Sequence, residues 1–177
     1  MFFKRIVDKL KQRAGHRFII KALRNVRVYR QGKRGIRTIG CIVDLDNFPS
    51  SEGFNELVVA LNINPSAVKI IGYKRTYDEN SPYATPVFSD KDLGWKGAIE
   101  NSYAVEFLNR EYDLLINYYT EDALLLRLMS VKAKTRLRVG FRSVGSEYND
   151  LMIEVPMSDF QLFKSELKKY LEILKEL

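Results

Sequence analysis

Two near-continuous apolar runs, IGCIVDL at 39–45 and DLLINYY at 113–119, constrain the fold more than any other feature of the chain. A strand with one wet face alternates apolar and polar residues, whereas a run apolar at almost every position needs cover on both faces. Such strands belong in the middle of a mainly parallel sheet with helices above and below it. The intervening segments supply both. SEGFNELVVALNI (51–63) reads as a helix with Ser50 or Ser51 as its N-cap, and NSYAVEFLNRE (101–111) as a helix capped by Asn or Ser. TEDALLLRLMSVKA (120–133) reads as a helix opening on Thr-Glu-Asp, and MSDFQLFKSELKKYLEIL (157–174) as an amphipathic closing helix through Phe160, Phe163, Leu167, Tyr170 and Leu174. AVKIIGYKR (67–75), TRLRVGF (135–141) and DLMIEV (150–155) read as strands, and TPVFS (85–89) as a short strand inside a long loop over 77–100. This alternation predicts right-handed βαβ units. The expected fold is α/β: one Rossmann-like three-layer domain over 36–177, with a mainly parallel sheet of five or six strands in the order 3-2-1-4-5-6.

Charge divides the chain at the same place. The net charge of +7 conceals a net +12 over residues 1–37, where thirteen Lys and Arg face Asp8 alone, and a net −5 over the rest. A block of one sign marks an interaction surface for nucleic acid or anionic lipid. Residues 1–35 read as a basic amphipathic helical arm in two pieces. Phe2, Phe3, Ile6, Val7 and Leu10 share an arc of roughly 140° on a helical wheel. A second stripe runs through Phe18, Ile19, Ala22, Leu23, Val26 and Tyr29, about 160° from the first if the helix were straight. A bend at Ala14-Gly15-His16 would bring the stripes together, since glycine breaks helices readily. KALRNVRVYRQGKRGIR (21–37) then carries Lys21, Arg24, Arg27, Arg30, Lys33, Arg34 and Arg37 with no acid, and Arg17 precedes it. These eight residues are the candidate RNA-contacting set. Arginine forks match phosphate oxygens, and their spacing spirals the charge around the helix. A solvated face is the plainer alternative, but such faces normally mix signs.

Other features exclude function classes. A single cysteine, Cys41, rules out an internal disulfide and fits a reducing compartment. No apolar run is long enough to span a bilayer, and the N-terminus lacks the apolar core of a secretory signal, so a cytoplasmic location is expected. His16, the only histidine, leaves no His-based triad for the domain. DLDNFPSSEGFNE (44–56) lacks the spacing of a Gly-rich phosphate loop, so no nucleotide or other cofactor is expected.

The stretch YDLLINYYTEDALLLRLMSVKAKTRLRVGF (112–141) resembles the strand-helix-strand unit in the N-terminal half of bacterial heptosyltransferases, which implies a Rossmann-like fold. VFSDKDLGWKG, Tyr112 to Tyr119, and NDLMIEVPMSDFQLFKSELKKYLEIL are similar to an uncharacterised bacterial family of short single-domain proteins. That likeness implies a fold and no activity. IVDLDN resembles the first strand of PIN-like nucleases of the NYN type, with their Asp-x-x-Asn. It also has the Asp-x-Asp of haloacid-dehalogenase phosphatases, but Asn47-Phe48 stand where those need a threonine.

Asp44, Asp46, Glu121 and Asp122 are the candidate cation-binding set, because ligands of open α/β sheets bind at the carboxyl ends of the strands and hard cations take carboxylate oxygens. The alternative is structural: a turn at 46–47, and acids in the first turn of a helix. Trp95, with Lys91 and Lys96, forms a candidate partner loop, against the alternative that a loop tryptophan anchors its own loop. The expected function is a non-catalytic binding protein, RNA- or ribosome-associated through the arm. A membrane-surface protein and a metal-dependent nuclease or phosphatase on Asp44 and Asp46 are the alternatives. A protein partner is also open, and no small-molecule substrate is indicated.

Overall fold

The computed structural model describes residues 2–24, 35–49, 51–78 and 82–177. Six strands form one all-parallel sheet: β1 (Ile39–Asp44), β2 (Val68–Tyr73), β3 (Val87–Phe88), β4 (Glu111–Tyr118), β5 (Lys134–Phe141) and β6 (Leu151–Ile153). Their order is β3-β2-β1-β4-β5-β6, the order expected of a Rossmann-like sheet. The two apolar runs occupy the centre. Every residue of β1 is buried, and so are the last five of β4. The chain doubles back between β1 and β4, which leaves a switch point where the loops after these strands part.

Among the described residues five α-helices cover the sheet: α1 (Phe2–Arg24), α2 (Glu56–Ala60), α3 (Ser102–Asn109), α4 (Leu124–Lys132) and α5 (Phe160–Ile173). α1, α3 and α4 lie together on one face; α2 and α5 meet on the other. On the α2/α5 side an aromatic cluster of Phe48, Phe54, Tyr118, Phe141, Phe160 and Phe163 fills the core with ring centroids 4.8–6.1 Å apart. α3 starts as the sequence predicts, with Asn101 accepting a backbone N–H bond as its N-cap; α5, read from Met157, starts at Phe160 behind Asp159, which accepts from the Leu162 N–H. α5 buries Phe160, Phe163 and Leu167 but uses Leu171, not Leu174, for its last core contact. No helix among the described residues is long and apolar enough to cross a membrane.

Three local expectations are corrected. SEGFNELVVALNI is a 3-10 turn (Glu52–Asn55) followed by the single short helix α2, and Ser51 spends its hydroxyl on Thr85 rather than on a cap. α4 begins at Leu124, so Glu121 and Asp122 precede the helix instead of lining its first turn. Above all, α1 runs unbroken through Ala14-Gly15-His16. Gly15 is buried there. A Cβ on it would come within 3.2 Å of Leu124 Cδ2 and 3.5 Å of Leu128 Cδ1. The glycine serves close approach between helices rather than a break, at a propensity cost of about 1 kcal/mol.

Candidate functional site

The strand ends at the switch point gather the residues singled out as cation ligands, but each carboxylate is already engaged by donors of the protein. Asp44, fully buried, accepts from the backbone N–H of Asp46 (3.1 Å) and of Asn47 (3.4 Å), and from Asn47 Nδ2 (2.7 Å). Asp46 pairs with Lys74 at 3.4 Å and accepts from the N–H of Arg75 at 2.7 Å. Glu121 accepts from Asn47 Nδ2 at 3.1 Å and from Arg75 Nη2 at 2.8 Å. Asp122 pairs with Arg127 at 2.6 Å. Among the described residues no three His, Cys, Asp or Glu side chains take positions that could hold a metal ion. The Asp-x-x-Asn element therefore closes the turn after β1 and ties it to the loop after β4.

His16 lies inside α1, not in a bend. With Gln12 it lines a cleft of about 340 Å³ whose other wall is Tyr73, Arg75, Asp90, Leu93 and 121–125. The Tyr73 hydroxyl donates to Asp90 at 3.0 Å. Burial, and then the Asp90 charge, push its phenol well above the usual range. Tyr73 is thus a protonated donor to Asp90. Cys41, in the middle of β1, is fully buried, and desolvation raises its thiol far above its ordinary value.

The cationic candidates are placed differently. Gly15, Phe18, Ile19, Ala22 and Leu23 turn toward the body, and Lys132 Nζ sits 3.8 Å from the centre of the Phe18 ring. Because the helix is straight, the opposite face takes the rest. Arg13, Arg17, Lys21 and Arg24 fall within an outward arc of roughly 80° and are all exposed. Phe3, Ile6 and Leu10 lie on that same outward side, toward the N-terminus. None of the α1 cations is in an ion pair among the described residues. Arg13 was not in the set read from sequence; a wheel drawn without the bend would have included it. Arg27, Arg30, Lys33 and Arg34 lie outside the described residues. Arg37 is exposed just before β1, where its backbone N–H donates to Asp113.

Trp95 is 53% exposed. Leu93 and Ile99, both buried, form an antiparallel bridge on either side of it. Between them Gly94 N–H donates to Ala98 O at 2.9 Å, and Ala98 N–H to Trp95 O at 2.9 Å. Lys96 stands at φ 55° and Gly97 at φ 76°, so the turn is tight and left-handed. This turn docks on α1. A Cβ on Gly97 would lie 3.2 Å from Phe18 Cβ and 3.4 Å from Gly15 Cα. The arm and the tryptophan loop, 80 positions apart in Gly15 and Trp95, are in contact through Gly97.

A buried polar network went unread in the sequence. Asn117 donates to Asn149 Oδ1 (2.8 Å) and accepts from Ser130 Oγ (2.8 Å), which in turn contacts Tyr119 OH (2.6 Å). Every member is satisfied within the protein, which suits a structural role. Gly140 makes room for it, since a Cβ there would meet Asn149 Oδ1 at 2.6 Å.

Comparison with curated proteins and with solved structures gives no match. Residues 11–174 match a family model that takes in the docked part of α1, the tryptophan turn and the whole sheet, and the chain belongs to that family, DUF6913, a family of unknown function.

Proposed function

We propose that this is a non-catalytic, cytoplasmic binding protein that associates with RNA, free or in the ribosome, by holding phosphates along α1. One observation carries the reading. The unbroken helix sets Arg13, Arg17, Lys21 and Arg24 in a single exposed stripe with no acidic partner among the described residues. At about 1.5 Å rise per residue these cations step roughly 6, 6 and 4.5 Å along the axis, a row that follows a phosphate backbone. Guanidinium forks suit phosphate oxygens, and self-repulsion among unpaired cations falls when a polyanion arrives. The acidic remainder of the chain repels the same polyanion and so turns α1 toward it. Groups placed for catalysis would have free carboxylates or a nucleophile beside a base; the carboxylates at the switch point are all engaged by donors instead.

The test is salt dependence. Affinity for single-stranded RNA, measured between about 50 and 300 mM salt, should fall with a log–log slope near −0.7 per phosphate contacted, so about −3 for four contacts. Replacing Arg13, Arg17, Lys21 and Arg24 by Gln should flatten that slope by about the same amount and leave the melting temperature unchanged. A slope unaffected by the four substitutions would refute the reading.

A second reading rests on Phe3, which is 79% exposed, with Ile6 and Leu10 beside it. An apolar strip edged by Lys4, Arg5, Lys9 and Lys11 has the character of an interfacial helix. Binding to anionic vesicles that Phe3→Ala with Leu10→Ala abolishes would favour it.

A further inference from the structure

We infer that Trp95 is a stacking platform for an unpaired base of single-stranded RNA whose phosphates lie on α1. This rests on the RNA reading above and adds what that reading lacks, a contact to the bases.

The indole is the first reason. Tryptophan is highly buried on average, because its large ring contributes most when removed from water. Trp95 leaves 53% of its surface in solvent although apolar loop neighbours Leu93 and Ile99 are buried beside it. The loop is held by the Leu93–Ile99 bridge and by hydrogen bonds from Glu100 N–H to Asp92 O (2.7 Å) and from Asn101 Nδ2 to Val87 O (3.1 Å). The Ser89–Asp92 capping box fixes its start. The ring is therefore presented by a rigid mount, not left out by a loose one. Lys96 at φ 55° is held in a region costly for a residue with a Cβ, the kind of backbone strain that clusters at binding sites.

Position is the second reason. Gly97 abuts Gly15 and Phe18 of α1, so the turn that carries Trp95 is mounted on the cationic helix, along the side that faces the body. Lys11, one turn before Gly15, and Lys21, one turn after Phe18, flank the contact, and Lys91 and Lys96 are exposed on the loop itself. None of these four is in an ion pair among the described residues. An aromatic face among unpaired cations is the arrangement by which proteins hold single strands, with bases on the ring and phosphates on the charges. A duplex keeps its base faces stacked inside and offers none to the ring, so the ligand is single-stranded. Stacking tolerates any base, so little sequence preference is expected.

Trp95 is the only tryptophan, so the intrinsic fluorescence of the full chain reports on this side chain alone. Single-stranded RNA of about 12 nucleotides, heparin, and vesicles of mixed zwitterionic and anionic lipid are titrated in turn. RNA should quench the emission, heparin should bind without quenching, and a duplex of the same sequence should quench less. Trp95→Ala should weaken single-strand binding by about 5- to 100-fold with heparin affinity unchanged, and Trp95→Phe should restore most of it. RNA that binds without quenching, and as tightly to Trp95→Ala, would overturn the inference while leaving the phosphate reading intact. No RNA binding at all would overturn both. A blue shift on vesicles, lost with Phe3→Ala, would assign the surface to a membrane instead.

Discussion

Ile19 and Ile20 offer a matched test of whether α1 belongs to the folded body. They are adjacent residues of one type in one helix, yet Ile19 is 4% exposed and sits in the continuous core while Ile20 is 52% exposed. Truncation to alanine changes helix propensity equally at both, by a few tenths of a kcal/mol in favour of alanine, so that contribution cancels in the comparison. What remains is burial. Removing a buried isoleucine side chain to its Cβ costs about 2–5 kcal/mol, and the value for Ile19 should sit near the low end because a surface helix can settle into the gap. Surface substitutions usually stay within about ±0.5 kcal/mol. For a chain of this size each kcal/mol moves the melting temperature by roughly 2–4 °C. Ile19→Ala should therefore melt about 4–8 °C lower than the parent, and Ile20→Ala within about 2 °C of it. Thermal melts of the three full-length proteins, followed by far-ultraviolet circular dichroism, make the comparison. If Ile19→Ala melts together with Ile20→Ala, α1 does not fold cooperatively with the sheet. The stripe of outward cations would then lose its fixed orientation.

Two further outcomes follow from the hydrogen-bonding at the sheet ends. Glu176 is buried and accepts from Arg136 Nη1 (2.5 Å), Arg136 Nη2 (2.7 Å) and the Gly35 N–H (3.1 Å), so Glu176→Ala breaks a buried ion pair, although Arg136 keeps Gly35 O (3.2 Å) and Asp113 (4.0 Å), and should cost about 3 kcal/mol, read as a fall of roughly 6–12 °C in a thermal melt; a fall below about 2 °C would refute it. Asp44→Ala removes the acceptor of two backbone N–H groups and one amide and should cost about 1–3 kcal/mol, while millimolar Mg²⁺ should leave the parent melt unmoved; a Mg²⁺-dependent rise that Asp44→Ala cancels would show a cation site instead.

Much of the fold was legible because its signals are local. A strand apolar at every position, such as Ile39–Asp44, must be covered on both faces whatever else the chain does. Asn101 caps its helix through an atom within three residues of itself. The charge block was legible for the same reason, since it needs only counting. Glu121 was misread as part of a helix turn because its partners, Asn47 and Arg75, lie 74 and 46 positions away. The Asn117–Asn149 network escaped because nothing near either residue announces the other.

Gly15 marks the division most clearly. In the chain it is the weakest helix former between two apolar stripes, and local propensity alone places a bend there. In the structure the glycine lets α1 press against Leu124, Leu128 and Gly97, and the helix continues straight through. Composition and periodicity by themselves determined a parallel α/β sheet behind a basic helix. The tertiary structure alone decided which face of that helix looks outward, that Arg13 joins its stripe, and that the turn carrying Trp95 packs against the helix. Periodicity is a property of one segment, while facing and close approach are properties of two, settled only when distant surfaces compete to be buried.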